Sequence, residues 1–249
     1  MTNKINELFK KNKKTTKKST KKHEIYLNDN PKSGFSESIK SVRANLQFSD
    51  LDENKKVILI TSTSPQEGKS FISANLASAF AKEGKRVLLI DADLRKGRQH
   101  RVFGVKNNRK LGYANMIRKF NKKDFELDSY INKTFIPNLY LINLGVTPPS
   151  PTELLSSENN KKLIDNLKKY FDYIFLDCPP TLGLSDALIL SKLSDYNIIV
   201  VANKKTKIEQ LKEVKKLFDN ANSKITGVIL NKVESKKNSY YGYYGYYGE

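Results

Sequence analysis

A short run that ends in glycine, lysine and serine has the residue types of a phosphate-binding loop. The run VILITSTSPQEGKS, residues 57–70, joins an apolar strand to a loop that ends in Gly68, Lys69 and Ser70. Backbone N–H groups at the start of a following helix bind phosphate oxygens, a lysine ammonium reaches the terminal phosphates, and a hydroxyl binds Mg²⁺. Thr63 replaces the first glycine of the usual pattern. The strand before the loop and the helix after it still predict a nucleotide-binding loop.

Three aspartates follow two further apolar runs. VLLIDADLR (87–95) carries Asp91 and Asp93, and YIFLDCPP (173–180) carries Asp177. In an open parallel sheet, ligands bind beyond the carboxyl ends of the strands, so we expect these carboxylates to meet the phosphate-binding loop. Carboxylates beside a triphosphate are typical of Mg²⁺ binding and of a general base. The capping of turns would explain one such aspartate but not all three.

Six short apolar runs alternate with helical stretches. Most of the runs lack polar alternation, which is typical of strands buried on both faces of a parallel sheet. They cover residues 57–61, 87–91, 139–143, 173–177, 197–201 and 227–231, and the helical stretches cover about 69–83, 152–169, 185–194 and 207–220. The alternation predicts an α/β fold: a P-loop NTPase-like doubly wound, mostly parallel sheet with helices on both faces.

The two ends of the chain differ in composition from the central domain, residues 26–234. Residues 1–25 are rich in lysine, threonine and asparagine and are predicted to be disordered. A helix is predicted over residues 36–48, with Ser36 as its N-cap. Residues 235–249 hold three YYG units and no aliphatic residue, so they are predicted to form a mobile tail.

The composition excludes several classes of protein. The chain has 249 residues with 38% hydrophobic and 29% charged residues, which excludes wholesale disorder. A single cysteine, Cys178, excludes a disulfide framework and a cysteine-ligated zinc site. No apolar run approaches the roughly 18 residues of a membrane span, and the start of the chain lacks the apolar core of a signal peptide. We therefore expect a cytoplasmic protein.

The chain is strongly basic, with a net charge of +19, and residues 1–23 contain nine lysines and one glutamate. Such a balance suggests an anionic partner, although lysines on solvated faces are the alternative explanation. No recognition helix or aromatic-interleaved basic patch supports specific binding to nucleic acid. We expect the lysine-rich start to favour recruitment to the inner face of the plasma membrane.

Together these motifs resemble the bacterial tyrosine kinases (BY-kinases) of capsule and exopolysaccharide systems, in the separate cytoplasmic form of Gram-positive bacteria. The resemblance covers roughly residues 24–249 and rests on TSTSPQEGKS, VLLIDADLR, IFLDCPP, GVTPPSPTELLSS and the terminal tyrosine cluster. The alternative is a partition or cell-division ATPase, which shares the first two patterns. Those ATPases usually carry a signature lysine where this chain has Ser64. The tyrosine cluster also favours the kinase.

The resemblance implies ATP-dependent phosphorylation of protein tyrosine, in the control of capsular or exopolysaccharide synthesis, with ATP and Mg²⁺ as cofactors. The residues expected to bind the nucleotide are Ser64, Pro65, Gln66, Glu67, Gly68, Lys69, Ser70, Phe71 and Asn231. The expected metal ligands are Ser70, Asp91, Asp93 and Asp177, and the expected catalytic residues are Lys69, Asp91, Asp93 and Asp177. Asp91 is the expected base, and Asp93 is the second choice. A turn residue after a strand is the alternative reading of Asn231.

The resemblance also implies a self-assembled acceptor. The expected phosphoacceptors are Tyr240, Tyr241, Tyr243, Tyr244, Tyr246 and Tyr247. The implied partners are further copies of the chain in a ring-like homo-oligomer with the tail phosphorylated in trans, a membrane-protein activator with a cytoplasmic segment, and a cognate phosphatase. Glu37, Lys40 and Arg43 are expected to build the ring, and Lys40 stands where the family usually has arginine. Gly97 stands where proline is frequent.

Three other readings stay open from the sequence alone. The tail is a low-complexity tyrosine–glycine segment that is not phosphorylated. The chain is a nucleic-acid-binding module that uses its lysine-rich start, or it is a kinase-like scaffold that binds nucleotide without catalysis. The presence of Lys69, Asp91 and Asp177 argues against the scaffold.

Overall fold

The computed structural model describes residues 32–48 and 57–234, together with positions 5, 7, 9 and 25. The tyrosine tail, residues 235–249, lies outside the described residues, so the prediction made for it stays a prediction. Of residues 1–25 the structure describes only positions 5, 7, 9 and 25. Ile5 and Ile25 are buried, and the ring of Phe9 lies 5.2 Å from that of Tyr140, so the predicted disorder does not hold at these positions. Within the part of the chain that the structure describes, no helix is long and apolar enough to cross a membrane.

A seven-stranded sheet forms the centre of the molecule. Its strands in chain order are β1 (Val57–Ser62), β2 (Val87–Asp91), β3 (Asn132–Lys133), β4 (Leu139–Ile142), β5 (Tyr173–Asp177), β6 (Tyr196–Ala202) and β7 (Gly227–Asn231). Their spatial order is β3-β4-β2-β5-β1-β6-β7, and every neighbouring pair is parallel except β3 with β4. The predicted mostly parallel sheet is confirmed. The two residues of β3 are too few to give a periodic signal in the sequence.

Helices cover both faces of this sheet. They are α1 (Gly34–Phe48), α2 (Lys69–Lys82), α3 (Gln99–Val102), α4 (Tyr113–Lys119), α5 (Pro151–Ser156), α6 (Glu158–Leu167), α7 (Asp186–Leu190) and α8 (Ile208–Asn220), with a 3₁₀ helix at Leu127–Tyr130. The helix predicted over 152–169 is two helices, because Ser157 is extended (ψ 148°) and its side chain caps α6. The short α3 and α4 were not predicted, since they span too few turns for helical periodicity.

The pleat of the strands divides the core into two layers. Val57 and Leu59 of β1 pack with α4, α6 and α7, whereas Ile58 and Ile60 pack with α2 on the other face. All four side chains are buried. Burying each such side chain contributes about 1.5–3 kcal/mol, so both layers hold the strands in one register.

The start of α1 differs from the sequence prediction. Ser33 caps the helix, because its Oγ accepts a hydrogen bond from the N–H of Ser36 at 3.2 Å. Ser36 is buried inside the first turn, so its prediction as the N-cap was wrong. The ring of Phe35 packs on Phe71 of α2 with 5.1 Å between ring centroids, which docks α1 onto the helix that follows the phosphate-binding loop.

The strand order brings the predicted aspartates together. β5 lies between β1 and β2, and Asp91 is the direct cross-strand neighbour of Asp177. Asp177 in turn lies opposite Ile60 of β1, two residues before that strand ends. Three parallel strands therefore end at one place, which we call the carboxyl edge of the sheet.

One close backbone contact at this edge yields a stability prediction. A Cβ on Gly112 would lie 2.1 Å from the Cα of Gly145, a backbone atom that cannot move away alone. Gly112→Ala is expected to lower the free energy of unfolding by about 1–3 kcal/mol. Gly34→Ala is the matched control, because a Cβ there has nothing within 4 Å. Urea unfolding of both variants measures the difference, and equal midpoints would contradict the contact.

Candidate active site

The phosphate loop, residues 63–70, connects β1 to α2. Two of its residues have a left-handed backbone, Gln66 with φ 65° and Gly68 with φ 99°. Two features favour glycine at position 68. Its φ is positive, and a Cβ there would lie 2.1 Å from Nδ2 of Asn231. Thr63 is not among the positive-φ residues of the described chain, so an L-residue fits where the usual pattern has its first glycine.

Buried hydrogen bonds hold the phosphate loop in shape. The Glu67 carboxylate accepts from Thr63 Oγ1 at 2.7 Å and from the N–H of Ser64 at 2.8 Å, and it also accepts from the hydroxyl of Thr206. Nδ2 of Asn231 donates to the Glu67 carbonyl at 2.9 Å. The Glu67 side chain is therefore occupied inside the protein, and only the backbone of this residue is left to face a phosphate.

Two exposed lysines reach the outer side of the loop. Nζ of Lys205 donates to the carbonyl of Pro65 and Nζ of Lys232 donates to the carbonyl of Gln66, each at 2.7 Å. They bind the carbonyl groups of the loop and leave the N–H groups of residues 66–70 available. Phe71, which was predicted to bind the nucleotide, is half-buried, and its ring packs against Phe35 of α1.

Lys69 lies between two of the predicted carboxylates. Its Nζ is 3.1 Å from Asp93 Oδ2, 3.6 Å from Asp177 Oδ1 and 3.3 Å from Ser70 Oγ. Burial alone would lower the pKa of Lys69, but the negative charges of Asp177 and Asp93 outweigh burial and raise it above its usual value. The ammonium therefore stays charged at the mouth of the phosphate loop.

Asp177 is fully buried and held from two sides. Its Oδ1 accepts from Ser73 Oγ at 3.3 Å, and its Oδ2 accepts from Gln99 Nε2 at 2.7 Å. The same amide nitrogen of Gln99 also donates to the carbonyl of Ser70 at 3.0 Å. Gln99 thus links the end of β5 to the first turn of α2.

Asp91 has one occupied and one unoccupied carboxylate oxygen. Its Oδ2 accepts from the N–H of Gln99 at 2.9 Å, while its buried Oδ1 has no hydrogen-bond partner among the described residues. Burial, followed by the negative charge of Asp177, raises the pKa of Asp91 well above its usual range. Gly97 packs its backbone against this carboxylate, since a Cβ there would lie 2.4 Å from Oδ1.

Asp93 is the most firmly tied of the three aspartates. Its Oδ1 accepts from the backbone N–H of Lys96 at 2.9 Å and of Arg95 at 3.3 Å, and its Oδ2 faces Lys69. These bonds close a tight turn directly after β2. Asp93 can therefore hold a charge in place, but it has less freedom than Asp91 to accept a proton from a substrate.

The turn is anchored to the rest of the protein through Arg95. Its Nε donates to Oδ2 of the buried Asp186 at 2.8 Å, and Thr152 Oγ1 donates to Asp186 Oδ1 at 2.9 Å. Thr152 belongs to the GVTPPSPTELLSS segment, so this segment supports the aspartate turn from behind.

Sequence reasoning missed Gln99, Arg95 and Asp186 as parts of the site. Gln99 lies eight positions after Asp91, and a single buried glutamine gives no motif. Arg95 ends the DADLR pattern, but its partner, Asp186, is 91 positions away. Only the fold shows which distant carboxylate meets that arginine.

The residues predicted for oligomerisation lie on α1. Glu37 and Lys40 form an exposed ion pair at 2.7 Å. Arg43 faces α2, where it donates to the carbonyl of Ala79 at 3.3 Å and pairs with Glu83. The six tyrosines predicted as acceptors lie outside the described residues.

Donors and acceptors at this edge fit a nucleotide with Mg²⁺. The free loop N–H groups and the Lys69 ammonium suit phosphates. Mg²⁺ is usually held by one or two carboxylates together with phosphate oxygens, and Asp91 Oδ1 is a buried acceptor without a hydrogen-bond partner among the described residues. The geometry therefore brings a phosphate-binding loop, a charged lysine and three carboxylates together at one edge of the sheet.

Comparison with known proteins assigns the chain to a family. A family model described as an AAA domain matches residues 55–229. The chain is 37% identical over 212 residues to the tyrosine-protein kinase YwqD of Bacillus subtilis, covering 85% of this chain and 87% of YwqD. It is 36% identical over 217 residues to CapB of Staphylococcus aureus, which carries a provisional tyrosine-protein kinase name, covering 87% of this chain and 92% of CapB.

Solved structures agree with these relatives. The kinase domain of the Escherichia coli tyrosine kinase ETK superposes with a TM-score of 0.79 at 27% identity, covering 90% of this chain and 86% of that domain. The septum site-determining protein MinD of Pyrococcus horikoshii, complexed with Mg-ADP, gives 0.57 at 24% identity over 71% of this chain and 70% of MinD. The second likeness shows the shared nucleotide-binding fold alone. The chain belongs to the family of bacterial tyrosine-protein kinases that includes YwqD and CapB, and the resemblance found in its motifs is confirmed.

Proposed function

We propose that this protein-tyrosine kinase uses ATP and Mg²⁺ to phosphorylate the tyrosine cluster of its own tail, and that it thereby regulates the synthesis of a capsular or exopolysaccharide. One observation carries the proposal: Lys69 lies at the mouth of the phosphate loop within 3.1 Å of Asp93 and 3.6 Å of Asp177, beside a free oxygen of Asp91. When bound, ATP supplies the phosphoryl group and Mg²⁺ neutralises charge on its phosphates.

Different groups around the loop are proposed to bind the phosphates, the metal ion and the adenine. Backbone N–H groups of residues 66–70 hold the phosphates, and Lys69 supplies the positive charge that the developing transition state requires. Ser70, Asp93 and Asp177 are the proposed metal ligands, with Asp91 nearby as a further ligand. Asn231 Nδ2 is already bonded to the Glu67 carbonyl, so its Oδ1 is the atom proposed to face adenine.

Asp91 is the proposed base. A carboxylate of ordinary pKa, about 4, is a weak acceptor for a tyrosine proton of pKa about 10, and the raised pKa of Asp91 narrows that gap. Its Oδ1 accepts the tyrosyl proton while the N–H of Gln99 keeps Oδ2 fixed. Phosphoryl transfer has a loose transition state, so positioning and charge neutralisation dominate over the strength of the base.

The proposed acceptors lie on a tail that can reach another subunit. A fully extended segment from residue 232 to 249 spans roughly 60 Å. We propose a ring-like homo-oligomer in which each tail enters a neighbour's site, with the exposed Glu37 and Lys40 on the contact face. The further proposed partners are a membrane-protein activator, a cognate phosphatase and, for residues 1–23, the anionic inner face of the plasma membrane.

Replacement of Lys69 tests the proposed activity. Lys69→Met is expected to lower the rate of phosphotyrosine formation with Mg-ATP at least about a hundredfold, because no other described ammonium lies between Asp93 and Asp177. Mass spectrometry of the tail measures the modification, and circular dichroism checks the fold. Lys161→Met, on the exposed side of α6, is the matched control. Wild-type phosphorylation in Lys69→Met would contradict the assignment of the loop.

Mixing tagged Lys69→Met with unaltered protein then shows whether transfer occurs between chains.

Gln99 is expected to position the carboxylates. Gln99→Leu keeps the side-chain volume but removes the bonds from Nε2 to Asp177 and to the Ser70 carbonyl. We expect kcat to fall about tenfold to a hundredfold, the range for the loss of a hydrogen bond to a charged group. The Mg²⁺ concentration needed for half-maximal rate should rise, while KM for a tail peptide stays constant. Gln47→Leu on α1 is the control. A kcat loss without any change in Mg²⁺ dependence would indicate a merely structural role.

A further inference from the structure

The segment that follows the turn at Asp93 carries several positive charges and no acidic residue. We define the basic loop as residues 96–112. Its basic residues are Lys96, Arg98, Arg101, Lys106, Arg109 and Lys110, and it contains no aspartate or glutamate. All six are exposed, and none of them forms an ion pair with another residue in the described ranges.

The distribution of charge in the basic loop differs from that on α8 and at the end of α6. On α8, Lys215 pairs with Asp219 at 2.5 Å, and Lys168 pairs with Asp165 at 3.5 Å. These two lysines each have an acidic partner at helical spacing. The basic loop, by contrast, has six positive charges and no negative one within seventeen residues of the described chain.

The basic loop lies at the same edge as the active site. Near its start, Gly97 packs against the Asp91 carboxylate, and the N–H of Gln99 donates to that carboxylate. Further along, Nδ2 of Asn143, directly after β4, donates to the carbonyl of Lys106 at 3.3 Å. The loop therefore covers the carboxyl ends of β2 and β4, next to the catalytic aspartates.

We propose that the basic loop binds the tyrosine tail, residues 235–249, once the tail carries phosphate; this rests on the tail phosphorylation proposed above. The side chains of the unmodified tail include two lysines and one glutamate, so they carry no net negative charge to attract the loop. Each phosphotyrosine adds about −1.5 to −2 charge and three strong acceptor oxygens. Guanidinium and ammonium groups are strong donors to such oxygens.

The active site and the basic loop act on the phosphate in opposite directions. Asp91, Asp93 and Asp177 repel a phosphotyrosine that has just formed. The basic loop, at the same edge, attracts it. The product group therefore moves sideways onto the loop while the rest of the tail stays beside the site. The next tyrosine is then presented at a high local concentration, and phosphates accumulate on the same tail.

The tail is long enough for this contact. β7, which precedes the tail, is four strand positions from β2, or about 19 Å at the usual spacing of strands. Six extended residues span about 20 Å and all fifteen span about 50 Å. The tyrosines can thus reach the basic loop of their own chain, and those of an adjacent chain come within the same range.

Direct binding of synthetic tails tests the proposal without any catalysis. The probes are fluorescein-labelled peptides of residues 235–249 with none, three or six phosphotyrosines. Each is titrated with the full-length protein, without nucleotide, and binding is followed by fluorescence anisotropy. We expect affinity to rise with each step in phosphorylation and to weaken as salt is added. Equal affinity of all three peptides would overturn the proposal.

Matched charge variants locate the surface. The basic-loop variant Lys106→Ser, Arg109→Ser, Lys110→Ser removes three exposed charges that lie outside the catalytic machinery. The control variant Lys161→Ser, Lys162→Ser, Lys212→Ser removes three exposed charges from α6 and α8. We expect the six-phosphate peptide to bind the basic-loop variant about tenfold more weakly and the control variant nearly as well as the unaltered protein. An equal loss in both variants would overturn the proposal in favour of net charge.

Two competing anions complete the test. A polyglutamate peptide of equal charge that bound as tightly would show a general polyanion site and overturn recognition of phosphotyrosine. Vesicles of phosphatidylserine and phosphatidylcholine report on a membrane surface. Vesicle binding that is lost in the basic-loop variant, with phosphopeptide binding unchanged, would assign the loop to the membrane.

The distribution of products separates this proposal from the proposed function. During a single incubation with Mg-ATP, intact-mass spectrometry should show unmodified chains together with multiply phosphorylated ones in the unaltered protein. In the basic-loop variant, singly phosphorylated chains should accumulate first. If no tail is phosphorylated at all, the proposed function fails, whereas the peptide titration still decides the binding. A random distribution in both proteins would overturn retention of the tail.

Discussion

Two carboxylates, Asp91 and Asp177, lie side by side on adjacent parallel strands, both fully buried, and the rest of the site depends on keeping that pair stable. Like charges in a low-dielectric site repel strongly, and burial costs each of them its hydration. Lys69 provides the nearest positive charge, at 3.6 Å from Asp177. The charged Lys69 therefore stabilises the pair, while burial and the negative charge of Asp177 raise the pKa of Asp91.

The same constraint explains the otherwise isolated polar groups around the site. Gln99 donates from its backbone to Asp91 and from its side chain to Asp177, so one residue holds the two carboxylates in fixed positions. Arg95 and Asp186 fix the turn that carries Asp93. Each contact orients an acid without neutralising it completely. The site is thereby left with a deficit of positive charge, which suits it to metal ions and ammonium groups.

The sequence was sufficient to predict the sheet and the three aspartates at its edge. It was insufficient to predict the residues that hold those aspartates in place. Buried strands read as apolar runs, and aspartates at their ends are placed together by parallel topology alone, so Asp91, Asp93 and Asp177 could be predicted to converge. Gln99 could not be predicted, because its role arises from a four-residue helix without periodicity. Ser36 was misplaced as the cap because the helix begins two residues earlier, after a second serine at position 33. The sequence alone does not decide between two nearby serines as the N-cap. Packing decides between them, here the contact of Phe35 with Phe71.

The phosphate loop shows how a departure from a motif is accommodated. A first glycine is needed where the backbone must adopt a positive φ or approach a ligand closely, and Thr63 does not have a positive φ. Its hydroxyl instead donates to the buried Glu67, which Thr206 also binds from the loop after β6. The shape of the phosphate loop is thus fixed by a buried carboxylate with several donors rather than by glycine alone. Because the same loop is bonded to Asn231 at the end of β7, its position is tied to the strand from which the tyrosine tail departs.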